Sequence, residues 1–177
     1  MSASKEFQPL NIAVLTVSDT RDESSDKSGG FLVDALKAAG HQLADKKIVK
    51  DDVYQMRAVV SNWIADNNIH AILTTGGTGF TDRDSTPEAL SPLFDKTVEG
   101  FGELFRQVSF AEIGSSTIQS RALAGLANHT VIFCVPGSTG ACKTAWNNII
   151  EQQLNSTHRP CNFAPHVMQG KCETSRG

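Results

Sequence analysis

Three short apolar runs in the first half of the chain predict strands. Asn11–Asp19 and His70–Thr75 are nearly continuous in apolar and β-branched residues, and a weaker run covers His41–Val49. Continuous runs of this length are typical of strands buried on both faces of a parallel sheet. We therefore predict three strands in this half of the chain.

Helix-spaced apolar positions lie between these runs. They predict one helix from Phe31 to a C-cap at Gly40, after a loop over Thr20–Gly30, and a second helix that Asp52 caps. Strands that alternate with amphipathic helices indicate an α/β fold, with a mostly parallel sheet and helices on both faces.

The second half of the chain predicts a different order of elements. Pro87–Leu123 is mostly helical in pattern, and two strands over 123–128 and 130–135 are expected to form a hairpin at one sheet edge. A turn at Pro136–Ser138 then begins the last amphipathic helix. After Leu154 the apolar density falls, which predicts an arm over 155–177 that lies on the body or on a partner and frays at its end.

Size and charge exclude several classes of protein. The 177 residues suit one domain over 1–177, with a core at about 11–154, and the net charge is −3. A slightly acidic chain is not expected to hold nucleic acid as its main task. No apolar run approaches the roughly 20 residues that span a bilayer, so we expect a cytoplasmic protein that binds no membrane and keeps its cysteines reduced.

The strongest chemical signal follows the His70–Thr75 strand. Gly76, Gly77, Thr78 and Gly79 bring three glycines into four positions, which lets backbone N–H groups approach an anion without a Cβ in the way. Such cradles lie at the carboxyl ends of strands in open α/β sheets. Turns at Thr16–Thr20 and Pro136–Thr139 are expected at the same edge, and Ser138 or Thr139 is expected to cap the last helix beside an anion.

Two aspartates are candidates for a metal site beside this loop. Asp51 follows the second predicted strand, and Asp84 lies just beyond the glycines. Paired carboxylates next to bound phosphates commonly hold Mg²⁺. We therefore predict that Asp51 and Asp84 converge on one glycine-lined pocket.

Two other motifs are incomplete. A dinucleotide fingerprint that starts at Gly77 fails because Asp82 occupies the position of its third glycine. Gly137–Thr144 resembles a P-loop at Lys143 and Thr144, but Cys142 replaces the second required glycine. The spacings in the arm match no zinc pattern, although four possible ligands lie there: His158, Cys161, His166 and Cys172.

Six separate motifs, in order, carry a resemblance to a known family. They are TVSD (16–19), TTGGTG (74–79), DSTPEA (84–89), EGFGE (99–103), SRALAG (120–125) and PGS (136–138). Together they resemble the molybdenum cofactor biosynthesis family, over about Asn11–Leu154. The resemblance implies a three-layer α/β domain that binds molybdopterin and forms trimers, or hexamers built from trimers.

The resemblance also implies an activity and a set of site residues. Active relatives transfer AMP from Mg·ATP to the terminal phosphate of molybdopterin and release pyrophosphate. Asp51 and Asp84 match the residues associated with catalysis and magnesium, and the remaining matches form the nucleotide and phosphate loops: Ser18, Asp19, Gly76, Gly77, Thr78, Gly79, Gly137 and Ser138. The chain departs from relatives after Gly137, which leaves open whether Lys143 reaches a phosphate.

Three functional hypotheses remain at this point. The first is an active molybdopterin adenylyltransferase. The second is a member of the same family that binds pterin or nucleotide without turnover. The third, an unrelated P-loop phosphotransferase, rests on Gly137–Thr144 alone and requires Lys143.

Overall fold

A six-stranded sheet forms the centre of the molecule in the computed structural model, which describes residues 6–169. The strand order is β2-β1-β3-β6-β5-β4, where the strands are β1 (Asn11–Val17), β2 (Gln42–Val49), β3 (Ala71–Thr75), β4 (Lys96–Thr97), β5 (Leu123–Ala127) and β6 (Thr130–Val135). Strands β2, β1, β3 and β6 are parallel, whereas β5 runs antiparallel to both β6 and β4. The predicted α/β class with a mostly parallel sheet is confirmed.

Helices cover both faces of the sheet. They are α1 (Lys27–Ala38), α2 (Val53–Ala65), α3 (Thr86–Leu90), α4 (Glu99–Ile113), α5 (Thr139–Ala145), α6 (Glu151–Leu154) and α7 (Ala164–Val167), with 3₁₀ turns at Ser91–Leu93 and Gly114–Gln119 and a π turn at Trp146–Ile150. Buried residues of α1, α4, α5 and α6 pack on one face and those of α2 and α3 on the other. Alternate residues of β1 enter the two cores, as the pleat requires.

The first helix begins earlier than the sequence predicts. It starts at Lys27 instead of Phe31, because Asp26 caps it by accepting a hydrogen bond from the Gly29 N–H at 2.9 Å. The Asp26 carboxylate is buried and also accepts from Thr16 Oγ1 at 2.8 Å. Two glycines that look like loop residues in the sequence are therefore in the first turns of α1.

The predicted hairpin is present, but it does not form the edge of the sheet. Asn128 and His129 both have positive φ, at 46° and 60°, as a two-residue hairpin turn of the I′ type requires. The strand at this edge is β4, which has only two residues and was not predicted. So short a strand has too few residues to show an alternating pattern.

The described part of the arm lies on the body. Phe163 packs against the core on the α4 face, and the His166 carbonyl lies 3.2 Å from His129 Nδ1. The predicted fraying of the arm's end and the position of Cys172 lie outside the described residues. Within residues 6–169 no helix is long and apolar enough to cross a membrane.

Strand register sets the position of the site. Thr16 of β1 pairs with Thr75 of β3, and Thr75 pairs with Val135 of β6. On the other side of β1, Val17 pairs with Val49 of β2. The carboxyl ends of all four parallel strands therefore lie level, and the loops that follow them share one edge of the sheet.

Candidate functional site

Loops from three neighbouring strands line an open cleft at this edge. The cleft has a volume of about 640 Å³. Its floor is formed by Thr16–Ser18, Thr75–Gly79 and Pro136–Ser138, with Asp51 and Asp84 at its side. The structure thus brings together the three turns that the sequence places at one sheet edge.

The glycine loop needs glycine for steric reasons. Gly76 has φ +105°, and a Cβ there would lie 2.2 Å from the Val17 carbonyl oxygen. Gly77 has φ +68°, and a Cβ there would lie 2.3 Å from Thr86 Oγ1. Since no side chain fits at either position, the backbone of this loop approaches its neighbours more closely than other residues allow.

All four carbonyl oxygens of the glycine loop accept hydrogen bonds from the protein. Thr86 donates through Oγ1 to Gly76 at 2.8 Å and through its N–H to Gly77 at 2.9 Å. Arg121 donates through its N–H to Thr78 at 3.0 Å and through Nε to Gly79 at 2.9 Å. These carbonyl oxygens, which would repel an anion, therefore have hydrogen-bond donors within the protein, as a phosphate cradle requires.

Asp51 lies against the first half of this loop. Its Oδ1 accepts from Ser85 Oγ at 2.6 Å and from the Ser85 N–H at 3.2 Å. Its Oδ2 faces Gly77, where a Cβ would be only 2.9 Å away. Burial raises the pKa of Asp51, and the nearby negative charges of Asp84 and Asp19 add to the rise, against the opposing bonds from Ser85.

Asp84 lies against the second half of the loop. A Cβ at Gly79 would be 2.7 Å from Asp84 Oδ2, which accepts from Thr81 N at 2.9 Å and from Thr81 Oγ1 at 2.7 Å. Burial alone would raise the pKa of Asp84, but the bonds from Thr81 and Gly79 and the positive charge of Arg121 lower it overall. The two aspartates therefore converge on the glycine loop from either end, as predicted.

Asp19 and Ser18 hold neighbouring loops. Asp19 does not line the cleft; both of its oxygens bind Arg83, at 2.8 and 2.9 Å, and Oδ1 also accepts from the Asp51 N–H at 3.1 Å. The hydrogen bond from Arg83 lowers the pKa of Asp19. Ser18 lines the cleft, but its Oγ accepts from the Arg21 N–H at 3.1 Å.

The loop after β6 closes the floor. Gly137 packs against the glycine loop, since a Cβ there would lie 3.3 Å from Gly76 Cα. Ser138 caps α5 as predicted, with its Oγ accepting from the Ala141 N–H at 3.1 Å. Lys143 lies outside the cleft lining, and its Nζ is 5.8 Å from the centre of the Phe31 ring. The P-loop hypothesis therefore loses the lysine on which it depends.

Several cleft residues do not stand out in the sequence. Arg21 lines the cleft and donates through Nη1 to Ser28 Oγ at 3.1 Å and to the Gly137 carbonyl at 3.3 Å. Within residues 6–169 it forms no ion pair with an acidic side chain. Its signal in the sequence is an arginine in the loop after β1. The far wall comes from α4, the 3₁₀ turn after it and the residue that ends this turn. None of these residues was predicted at the site: Phe105, Ser109, Ile113, Ser116, Gln119 and Ser120.

The donor set at the cleft suits magnesium held together with a phosphate substrate. Among the residues that the structure describes, no group of three or more His, Cys, Asp or Glu side chains is placed to hold a metal by itself. Mg²⁺ is usually bound by one or two carboxylates, with waters and substrate phosphates completing its shell. Asp51 and Asp84 can supply that smaller number of ligands.

Fold and site together define a class: an α/β protein with a glycine-lined cleft at the carboxyl edge of its parallel strands. Comparison with known proteins identifies its family. A family model described as a "probable molybdopterin binding domain" matches residues 13–156. The chain is 58% identical over 164 residues to molybdenum cofactor biosynthesis protein B of Escherichia coli K12, covering 93% of this chain and 96% of that protein.

Solved structures agree with this assignment. A crystal structure of molybdenum cofactor biosynthesis protein B has a TM-score of 0.82 and 44% identity, over 85% of this chain and 94% of that one. The tungsten cofactor synthesizing protein MoaB of Pyrococcus furiosus has a TM-score of 0.71 and 37% identity, over 78% and 88%. The chain belongs to the molybdenum cofactor biosynthesis family, which confirms the resemblance of its motifs.

Proposed function

We propose that this protein is a molybdopterin adenylyltransferase that uses Mg·ATP. The observation that carries the proposal is the position of Asp51 and Asp84 on either end of the glycine loop, against Gly77 and Gly79. A nucleotide phosphate on the loop would lie between the two carboxylates. Membership of the family supports molybdopterin as the second substrate.

In the proposed reaction, a terminal phosphate oxygen of molybdopterin attacks the α-phosphorus of ATP. The new P–O bond forms as the bond to the leaving pyrophosphate breaks, so no covalent nucleophile from the protein is needed. Catalysis then depends on holding two anions together and stabilising the charge that develops. Asp51 and Asp84 would hold magnesium, which would neutralise part of that charge.

In this proposal, acidic residues of the cleft bind the metal, and backbone groups and an arginine bind the phosphates. Asp51 and Asp84 supply the metal ligands. In the glycine loop, the Gly76 N–H already donates to the Val135 carbonyl at 3.0 Å and the last N–H bonds Asp84, so the two residues between them supply the backbone contacts to phosphate. Arg21, which donates to the Gly137 carbonyl, supplies a positive charge with no acidic partner among residues 6–169. An arginine in this position suits the second anion, because its fork of N–H groups matches phosphate oxygens.

The direct test is product formation. Purified protein is incubated with molybdopterin and Mg·ATP, and adenylated pterin and pyrophosphate are measured. We expect both products from the wild type and a large loss in Asp51→Asn and Asp84→Asn. Asp34→Asn is the matched control, because Asp34 is an exposed carboxylate on α1 outside the cleft lining.

The outcomes separate the two family hypotheses. Absence of product, where a known active relative works under the same conditions, refutes the transferase proposal. Stabilisation of the protein by molybdopterin or Mg·ATP without product would then favour the member that binds without turnover.

We also propose that the protein forms trimers, or hexamers built from trimers. Large apolar side chains remain exposed on α4 and the 3₁₀ turn after it: Leu104, Phe110, Ile113 and Ile118. Exposed apolar residues in one region favour a protein contact. Light scattering after size-exclusion chromatography tests this, and a monomeric mass at micromolar concentration would refute it.

A further inference from the structure

One sequence motif has no part in the proposed reaction. The segment 120–125 contributes to the family resemblance, yet none of its residues was predicted to be in the site. Arg121 lies in this segment, between the 3₁₀ turn that follows α4 and strand β5. Two of its hydrogen bonds reach the glycine loop.

Arg121 contacts the loop in three places. Its N–H donates to the Thr78 carbonyl at 3.0 Å, its Nε to the Gly79 carbonyl at 2.9 Å, and its Nη2 to the Asp84 carbonyl at 3.0 Å. A single side chain thus joins the end of the glycine loop to the backbone of the aspartate beside it. A lysine cannot make this contact, because the two carbonyls need donors in the fixed geometry of a guanidinium group.

The guanidinium is itself held in position. Nη1 forms an ion pair with Glu88 of α3, and the group lies 5.2 Å from the centre of the Phe80 ring. The Arg121 side chain is 26% exposed, so water has limited access to these bonds. Few alternative rotamers satisfy all of these contacts together.

The backbone around Arg121 is fixed from α4. Arg106 donates through Nη1 to the carbonyls of Ser120 and Ala122, at 3.4 and 3.1 Å. Gly102 permits this close packing, because a Cβ there would lie 2.7 Å from the Ala122 carbonyl oxygen. Two motifs that are separate in the sequence, 99–103 and 120–125, therefore meet behind the site.

We propose that Arg121 is a positioning residue that fixes the glycine loop and Asp84 relative to each other. Arg121 does not line the cleft, so it acts through the loop and not on a substrate. Its effect on the reaction depends on the proposed function, whereas its effect on the loop can be measured without any turnover.

The chain contains a matched control. Arg57 of α2 donates through Nε to the Ala89 carbonyl at 2.9 Å and through Nη2 to the Glu88 carbonyl at 3.0 Å, and it lies 5.9 Å from the Tyr54 ring centre. It makes the same kinds of contact as Arg121, but to carbonyls outside the cleft lining. Arg57→Lys therefore removes an equivalent pair of guanidinium–carbonyl hydrogen bonds without changing any contact to the glycine loop.

The experiment compares Arg121→Lys, Arg57→Lys and the wild type by two measurements. Hydrogen–deuterium exchange reports opening of residues 76–85, and calorimetry measures binding of Mg·ATP. For Arg121→Lys we expect exchange in this segment to be about tenfold faster and Mg·ATP binding about 10- to 100-fold weaker, the usual effect of losing a group that orients a metal ligand. For Arg57→Lys we expect both values within twofold of the wild type.

A milder variant covers the case in which Arg121→Lys does not fold. Glu88→Gln removes the charge that orients the guanidinium but keeps Arg121, and we expect about two- to fivefold faster exchange in 76–85, the effect of losing an exposed ion pair.

The proposal is overturned if Arg121→Lys exchanges and binds as the wild type does, or if Arg57→Lys changes residues 76–85 equally. If Arg121→Lys does not fold, unchanged exchange in Glu88→Gln overturns it. If the wild type itself does not bind Mg·ATP, the proposed function fails, and the exchange measurement alone decides the role of Arg121.

Discussion

Replacing Gly79 by alanine tests whether the cleft depends on the contact between the glycine loop and Asp84. A Cβ at position 79 would lie 2.7 Å from Asp84 Oδ2, and ordinary contact begins at 3.4 Å, so the carboxylate must retreat by about 0.7 Å. Gly79 is not among the glycines with positive φ, so alanine adds no left-handed strain. The substitution therefore acts mainly on the aspartate.

The expected effects on stability and on activity differ in size. Asp84 Oδ2 accepts two bonds from Thr81, and weakening one hydrogen bond costs about 0.5–1.5 kcal/mol. A domain with a typical stability of about 5–15 kcal/mol remains folded after such a loss. By contrast, misplacing a catalytic group by about 1 Å can reduce the rate about 100-fold, so we expect kcat/KM to fall about 10- to 100-fold.

The assay measures initial rates of pterin adenylation at several Mg²⁺ concentrations, together with urea unfolding. Gly30→Ala is the control, because a Cβ there meets nothing within 4 Å. Alanine within a helix is favoured over glycine by about 0.5–1 kcal/mol, so this variant should be slightly more stable and equally active. Gly79→Ala with kcat/KM within twofold of the wild type would refute the reasoning, as would a Gly30→Ala variant with an equal loss of activity.

Three further predictions follow from single residues. Burial raises the pKa of Asp51, so in the metal-free protein this carboxyl, followed by NMR, should titrate above the ordinary aspartate value of about 3.9, and an ordinary value would contradict this. Burial lowers the pKa of His41 below 6.5, and its Nδ1 accepts from the Leu10 N–H at 3.1 Å. The unfolded chain therefore binds the proton more readily, and the free energy of unfolding should decrease as pH falls below about 6.5 toward the folded pKa. His41→Asn, which keeps an acceptor but does not titrate, should show a smaller decrease; an equal one would contradict the assignment. Lys143 lies over the Phe31 ring, so the rate of pterin adenylation by Lys143→Ala should be within twofold of the wild-type rate. A tenfold loss would support the P-loop hypothesis.

Local patterns account for most of the fold. Buried parallel strands produce continuous apolar runs, and the bounds of β1 and β3 differ from the predicted ones by no more than two residues. The predicted start of α1 was wrong because the N-cap of this helix depends on tertiary contacts. Asp26 is held by Thr16 and by an ion pair of 3.2 Å with Lys46 of β2. No local pattern contains that information.

The same contrast between local pattern and tertiary contact applies to the predicted site residues. The glycine loop and Asp51 follow strands, so the topology of a parallel sheet places them at one edge. Asp19 was expected at the site from the family resemblance, but it binds Arg83 beside the cleft. A position at this edge therefore does not by itself place a carboxylate in the cleft, because a nearby arginine can bind both of its oxygens.

The arginines explain how an acidic chain can build the anion site that we propose. A net charge of −3 suggests that backbone groups and a metal must bind phosphate with little help from side-chain cations. In the structure, Arg121 instead satisfies carbonyl oxygens of the glycine loop, and Arg21 faces the cleft with no acidic partner within residues 6–169. Arg121 thus makes the loop backbone suitable for an anion, and Arg21 is available to bind an anion directly. Total charge cannot reveal this division, since it depends on which carbonyls and carboxylates each arginine meets in the folded chain.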